Sequence, residues 1–270
     1  MDFCLSELER SFAGEIIGHK IYYFEEIGST NDEAYHLGRQ GLPEGSAVIA
    51  DAQKAGKGRL ARSWHSPPKA NIYTSVLLRP KFAPAAAPRL TIMAGVAVAE
   101  TLKMFCPGNI QLKWPNDVLI EGKKVCGILA QMQAEVGKID FIVLGIGINV
   151  NMSANNLPPD IEKSATSLMM QAGTVISRGK ILINLYKNLS KWYKKLINDG
   201  FEEIRQKWTQ GATLIGCEVQ INYHKEIIRG IAQGIDEDGA LLIRGAESKE
   251  IRVMAGDASI IKENKNAAGN

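Results

Sequence analysis

Lys113-Trp114-Pro115-Asn116-Asp117, followed by Lys123-Lys124-Val125-Cys126-Gly127-Ile128-Leu129, reads as a strand, a turn and a return strand. Ile110, Leu112 and Trp114 alternate with Gln111 and Lys113, which is the period of a half-buried strand. Pro115 has no N–H to give a ladder, so the strand ends there or lies at an edge. Asn116 and Asp117 are turn formers whose side chains bond nearby backbone. Glu121-Gly122-Lys123 turns the chain again, and Val125 to Leu129 lead it back. The turn-back brings Lys113 and Lys124 to one mouth. Two ammonium groups beside the Asp117 carboxylate suit a site that handles phosphate charge. A plain surface hairpin with solvated lysines is the competing reading, and composition alone favours it.

Three other stretches have the same chemical flavour. Ser29-Thr30-Asn31 follows the strand-like Lys20 to Glu25, and Thr30 with Glu33 matches a capping box for a helix over 31–39. A hydroxyl offers one donor and two acceptor lone pairs, so capping and ligand binding are compatible roles. A second strand over 46–52 delivers Gln53, whose amide offers both a donor and an acceptor. The segment 54–64 then carries Gly56, Gly58 and the basic residues Lys54, Lys57, Arg59 and Arg62. Glycines let backbone N–H groups approach an anion. A solvated basic loop or a nucleic-acid patch are the alternatives, the patch weakened by the absence of interleaved aromatics. Finally, Leu144, Ile146, Ile148 and Val150 alternate with Val143, Gly145, Gly147 and Asn149 in a strand over 140–150. Two glycines on one face of a strand mark a close approach by ligand or backbone. Packing of the long apolar helix over 89–105 against them would explain them equally well.

Taken in order, these four stretches closely resemble the core motifs of the biotin–protein ligases, and the resemblance covers about residues 20 to 262. It implies an α+β catalytic core, a mixed sheet with helices like that of class II aminoacyl-tRNA synthetases, and a small SH3-like C-terminal β-barrel. It implies ATP and Mg²⁺ as cofactors and biotin as substrate, joined through biotinyl-5′-AMP to a lysine of a biotin carboxyl carrier protein of acetyl-CoA carboxylase or a related carboxylase. Carried over residue by residue, Ser29, Thr30, Asn31, Gln53, Lys57, Gly58, Arg59, Trp64 and Lys124 are expected to bind biotin. Arg59, Arg62, Asp117 and Asn149 are expected at ATP or the adenylate, and Lys124, Arg59 and Lys113 in catalysis. Asp117 is a candidate to orient the incoming lysine, the ribose or Mg²⁺. No protein metal ligand set and no general base is implied. Where the family usually has Gly-Arg-Gly-Arg, this chain has Gly56-Lys57-Gly58-Arg59, which keeps the charge at Lys57 but loses the planar fork. The loop over 152–165 is expected to order over the adenylate. A lipoate or octanoate ligase is the near alternative, and a biotin-responsive repressor or a non-catalytic sensor the alternatives of another class.

The bulk properties fit a soluble globular protein. The chain has 270 residues, 45% hydrophobic and 23% charged, with a net charge of +3. That is enough for one large domain and a small one, and too little positive charge to argue for nucleic acid. No apolar run reads as a membrane span and no signal core is evident, so a cytoplasmic protein without membrane association is expected. Cys4, Cys106, Cys126 and Cys217 lie far apart and read as reduced thiols; the four histidines are equally scattered.

The expected organisation is an N-terminal helical segment 1–19, a catalytic domain 20–212, a C-terminal domain 213–263 and a polar tail 264–270. Leu5, Leu8 and Phe12 support a single short helix in the first segment. Three helices of about 11 residues would not fit there, so neither a DNA-binding domain nor specific DNA binding is expected. Ser177 is expected to cap a helix running to Asp199, with another over 201–210. Short strands at 219–221, 227–232, 240–244 and 249–253 build the five-stranded C-terminal barrel. Monomer and homodimer both remain open.

Overall fold

The computed structural model describes residues 5–12, 14–223 and 226–261. The expectations for Cys4, His224 and the tail from 264 lie outside these residues. In chain order the elements are α1 (Leu5–Ser11), β1 (Ile21–Ile27), α2 (Thr30–Arg39), β2 (Ala47–Gln53), β3 (Ile72–Leu78), α3 (Pro88–Lys103), β4 (Ile110–Lys113), β5 (Asp117–Ile120), β6 (Lys123–Glu135) and β7 (Lys138–Ile148). There follow α4 (Leu168–Ala172), α5 (Arg178–Asn198), α6 (Glu202–Gly211) and the strands β8 (Glu218–Tyr223), β9 (Glu226–Ile235), β10 (Leu241–Arg244), β11 (Glu250–Val253) and β12 (Asp257–Ile260).

The first seven strands form one mixed sheet in the order β1-β2-β3-β7-β6-β5-β4. Only β1 and β2 run parallel; the other neighbours are antiparallel. One face packs on α3 and α5, where Leu90, Met93, Ala97, Leu185, Leu189 and Trp192 meet Leu144, Ile146 and Ile148 in the main core. Truncating such a side chain, as in Leu90→Ala, costs about 2–5 kcal/mol. The segment Pro84–Lys103 is long and apolar enough by composition to cross a membrane, but 67% of its apolar window is buried in the fold. Its hydrophobicity serves the core.

The other face packs on α2 through Ala34, Val48, Leu77, Phe141 and Val143, and this face carries Gly145 and Gly147. The long helix therefore does not pack on the glycines. A Cβ at Gly145 would lie 1.9 Å from Asn31 Oδ1, and one at Gly147 would lie 2.5 Å from the Trp64 indole nitrogen. Close approach is the reason for both glycines, and the approaching groups are side chains from two of the motifs.

Two local expectations are corrected. The capping box at Thr30 is not formed: Ser29 is the N-cap residue, without a side-chain cap bond, and Thr30 is already helical. The Thr30 hydroxyl is drawn instead to Gln53 and Ser75, which bury it in a polar network. The return strand is also much longer than Val125 to Leu129, because β7 offers it a full partner from Cys126 to Glu135. Ser177 does cap α5, accepting from the Lys180 N–H at 3.3 Å.

The last five strands make an antiparallel sheet ordered β11-β10-β9-β8-β12. The fifth strand, β12, falls beyond the four segments legible in the sequence. The sheet is tied to the larger, seven-stranded part of the fold at the β9–β10 turn. There the Trp114 indole donates to Gly239 O at 3.1 Å, and Arg89 pairs with Asp238 at 3.1 Å.

Candidate active site

A cavity of about 410 Å³ opens on the α2 face of the large sheet. Its deep wall is formed by Ser29, Thr30, Asn31 and Gln53, its floor by Gly127, Gly145 and Gly147, and its mouth by Lys57, Gly58, Arg59 and Arg62. Trp64, Lys113, Asp117, Lys124 and Asn149 complete the set. Every residue singled out from the sequence for the site thus lines one space, although they come from four separate stretches of chain.

The deep wall is a hydrogen-bonded unit. Gln53 Oε1 accepts from the Thr30 N–H at 2.8 Å and lies 3.1 Å from the Thr30 hydroxyl. Its Nε2 donates to Ser66 Oγ at 2.9 Å, and Ser66 donates to Trp64 O. The Asn31 amide donates to Leu129 O at 3.2 Å. The strand end at Gln53, the start of α2 and the basic loop are thereby tied together before any ligand binds.

The centre is the hairpin β4–β5–β6. Lys113 lies opposite Asp117 in register, and the Lys124 ammonium pairs with the Asp117 carboxylate at 2.6 Å. Lys124 also lies 5.4 Å from the centroid of the Trp64 ring, over Gly127, where a Cβ would crowd its Cε at 3.3 Å. A cation over an indole face is held by the ring quadrupole. The main chain of Lys124 is braced as well: its N–H donates to Ser164 O and its carbonyl accepts from Thr166 N–H. The loop after β7 therefore runs alongside this lysine. Asn149 sits at the same seam, its amide donating to Thr166 O at 3.0 Å.

The basic loop is anchored at the mouth. Arg59 donates to Asn116 Oδ1 at 3.2 Å and to Gly256 O, and lies 3.6 Å from Asp257. Arg62 pairs with Asp257 at 2.6 Å, and Lys57 with Asp32 at 2.6 Å. Burial pushes the Arg59 pKa down, with Asp257 and Asp117 opposing that shift. Gly56 is required because a Cβ there would lie 2.5 Å from Trp64 O. The left-handed positions of the loop are Leu60 and Ala61, at φ 54° and 57°, not its glycines. Left-handed backbone at such residues costs about 1–2 kcal/mol each.

Four contributors escaped the sequence reading. Asn116 was read as a turn former, but its side chain clasps Ile128 O at 2.8 Å and receives Arg59. Asp257 and the Gly256 carbonyl arrive from the C-terminal sheet, with no local signal near the motifs. Ser75 stands behind the deep wall; its signal was a hydroxyl in the middle of β3, a strand buried along its whole length. Cys126 is wholly buried, and burial pushes its thiol pKa up.

Among the described residues no group of three or more His, Cys, Asp or Glu could hold a metal ion. The carboxylates that line the cavity are Asp117 and Asp257. That set suits Mg²⁺ arriving with a nucleotide, since this ion commonly takes one or two carboxylates and completes its shell with phosphate and water.

Comparison with known proteins agrees with this geometry. Residues 23–149 match the model of the biotin/lipoate A/B protein ligase family, and residues 214–260 that of the biotin protein ligase C-terminal domain. The chain is 36% identical over 242 residues to the bifunctional ligase/repressor BirA of Bacillus subtilis, covering 90% of this chain and 74% of the relative. It is 32% identical to the biotin–[acetyl-CoA-carboxylase] ligase of Paracoccus denitrificans, over 83% of this chain and 93% of that one. The structure of the Aquifex aeolicus biotin protein ligase in complex with biotin and ATP superposes with a TM-score of 0.77 at 30% identity, covering 90% of this chain and 99% of that one. With motif residues gathered in one cavity and both domain models matched in order, the chain belongs to the biotin protein ligases of the biotin/lipoate protein ligase family.

Proposed function

We infer that this protein activates biotin with ATP and passes the biotinyl group to a lysine of a biotin carboxyl carrier domain. The observation that carries the reading is the gradation along one cavity. A neutral hydrogen-bonding wall lies at its deep end, a lysine–carboxylate pair at its centre and two arginines at its mouth.

In the first step a biotin carboxylate oxygen attacks the α-phosphorus of ATP. The new P–O bond forms as the bond to the β-phosphate breaks, and pyrophosphate leaves with the electron pair. On this reading Lys124 holds the carboxylate and then the acyl phosphate oxygen, while Arg59, Arg62 and Lys113 neutralise phosphate charge. Fixed positive groups aimed at developing charge are a large source of rate enhancement. Mg²⁺, held by Asp117 or Asp257 together with phosphate oxygens, would supply further charge neutralisation there. In the second step the carrier lysine amine attacks the acyl carbon, the C–O bond to AMP breaks with its electron pair going to the AMP phosphate, and the amine proton passes to solvent or to that phosphate. Both electrophile and nucleophile come from the substrates, so no nucleophile of this chain is needed.

Ser29, Thr30, Asn31 and Gln53 fit a urea, which has two N–H donors and one acceptor. A lipoate or octanoate tail offers no donor or acceptor for the bonding capacity that these groups do not spend on one another. The deciding experiment combines the protein with ATP, labelled biotin and a carrier domain. Label on the carrier lysine, with AMP and pyrophosphate released in equal amounts, is the expected result. Transfer of labelled octanoate with none of biotin would overturn it.

A further inference from the structure

We propose that Ser75 is a positioning residue that sets the donor and acceptor pattern offered to the biotin urea by the deep wall; this deepens the reading above and rests on it. Ser75 is wholly buried in β3, opposite Gly145 on β7. Its Oγ lies 2.6 Å from Asn31 Oδ1 and 2.8 Å from Thr30 Oγ1. Asn31 Oδ1 carries no hydrogen, so the single Ser75 proton goes to it. Ser75 then faces Thr30 with lone pairs only.

Two consequences follow from that one proton. The Asn31 carboxamide is held in a single orientation, oxygen toward Ser75 and nitrogen toward Leu129 O at 3.2 Å. It lies flat on Gly145, where any Cβ would come within 1.9 Å of Oδ1. A second amide hydrogen is left over for a carbonyl in the cavity. The Thr30 proton, in turn, has two acceptors to choose between, Ser75 Oγ and Gln53 Oε1, at 2.8 Å and 3.1 Å. With the proton on either one, Thr30 keeps a lone pair for a ligand N–H. The wall therefore presents an amide donor beside a hydroxyl acceptor, which is the complement of a urea carbonyl beside a urea N–H. Ser75 touches no ligand in this scheme; without its proton, Asn31 Oδ1 is a buried acceptor without its donor, and the amide is held only through Nδ2 on Leu129 O.

Ser75→Ala and Ser75→Cys in the full chain test this. Calorimetric titration with biotin and with desthiobiotin, which keeps the urea but lacks the thioether, is combined with steady-state kinetics and thermal melts. In Ser75→Ala both affinities are expected to fall about tenfold, the loss typical of a buried acceptor left without its donor. The KM for biotin rises in step, while kcat at saturating biotin and the KM for ATP stay within about twofold. Ser75→Cys, a weak donor of similar size, falls between, and it carries the same test should the alanine variant not fold. Unchanged affinity, a loss confined to biotin, or a matching rise in the ATP KM would overturn the proposal. Failure of the unmodified protein to bind biotin would remove the underlying reading instead, and needs no variant to detect.

Discussion

Arg62 Nη2 lies 2.6 Å from Asp257 Oδ2, across 195 positions of sequence, and Asp257 also faces Arg59 at 3.6 Å. A residue of the last strand of the C-terminal sheet thus anchors the basic loop of the catalytic cavity. The pair is half open to solvent, Arg62 being 70% exposed, so it contributes at most about 1 kcal/mol. Asp257→Ala should therefore leave folding intact while loosening the loop. Amide hydrogen exchange over 56–62 is expected to quicken in the empty variant and to slow again in both proteins with biotin and ATP, whose anionic product supplies new partners. Equal exchange with and without ligands in the unmodified protein would show that biotin and ATP do not order this loop.

Arg59 joins the loop to Asn116 and to Gly256 O, so Arg59→Gly detaches it from two elements at once. This variant is expected to form adenylate more slowly and to release what it forms, so that neighbouring non-target lysines become biotinylated. Lys57→Arg is expected to be mild, since Lys57 meets Asp32 at a half-exposed position. Free adenylate in the filtrate of a turnover reaction, measured against its rate of synthesis, checks both.

Lys124→Ala removes the cation at the centre of the cavity. A loss of at least about 100-fold in adenylate synthesis is expected, the scale of one charge-stabilising group. The melting temperature should shift by only a few degrees, because the lysine is partly exposed and the core does not use it. Near-normal adenylate synthesis would remove Lys124 from its assigned place.

Arg178 and Asp51 form a buried pair at 2.9 Å, with the arginine also donating to Asn71 O and Tyr23 donating to Asp51 at 2.9 Å. Burial, then the Asp51 hydrogen bond, pushes the Tyr23 pKa up to about 12. Arg178→Ala leaves the carboxylate buried with its main cation gone, and should cost about 3–5 kcal/mol. Urea unfolding followed by intrinsic fluorescence measures it.

Asp236 closes the β9–β10 turn that receives the Trp114 indole. Burial works against its ionisation, but the Arg252 guanidinium and the Ala240 and Asp238 amides outweigh burial and hold its pKa below the ordinary value. For a depressed carboxyl, the stabilisation is complete above the unfolded pKa, near 4. It is lost as pH falls through the lower folded value. Asp236→Asn should therefore melt below the unmodified protein at pH 7, and the gap should close progressively as pH falls below about 4. A constant gap from pH 7 to pH 3 would refute this.

Local chemistry made much of this protein legible in one dimension. Alternation around Trp114, the paired lysines Lys113 and Lys124, and the glycines at Gly145 and Gly147 each encode a strand, a charge or a close approach in adjacent residues. Periodicity and side-chain type are properties of a short window, so they survive without the fold. What approaches those glycines is not such a property: Asn31 and Trp64 reach them from more than 80 positions away, by virtue of strand order alone. The same holds for the Thr30 hydroxyl, which has the local pattern of a cap and is taken instead by Gln53 and Ser75, because buried partners across the sheet outcompete exposed ones nearby. Asp257 is the extreme case, an acidic residue on a short strand with no motif around it. Sequence alone picked out the stretches that would build an anion-handling site, and their resemblance to the biotin–protein ligases implied what that site takes. Only the tertiary structure decided which hydrogen bonds those residues spend on one another, and that a second sheet closes the mouth, because both depend on distances between segments that no local pattern records.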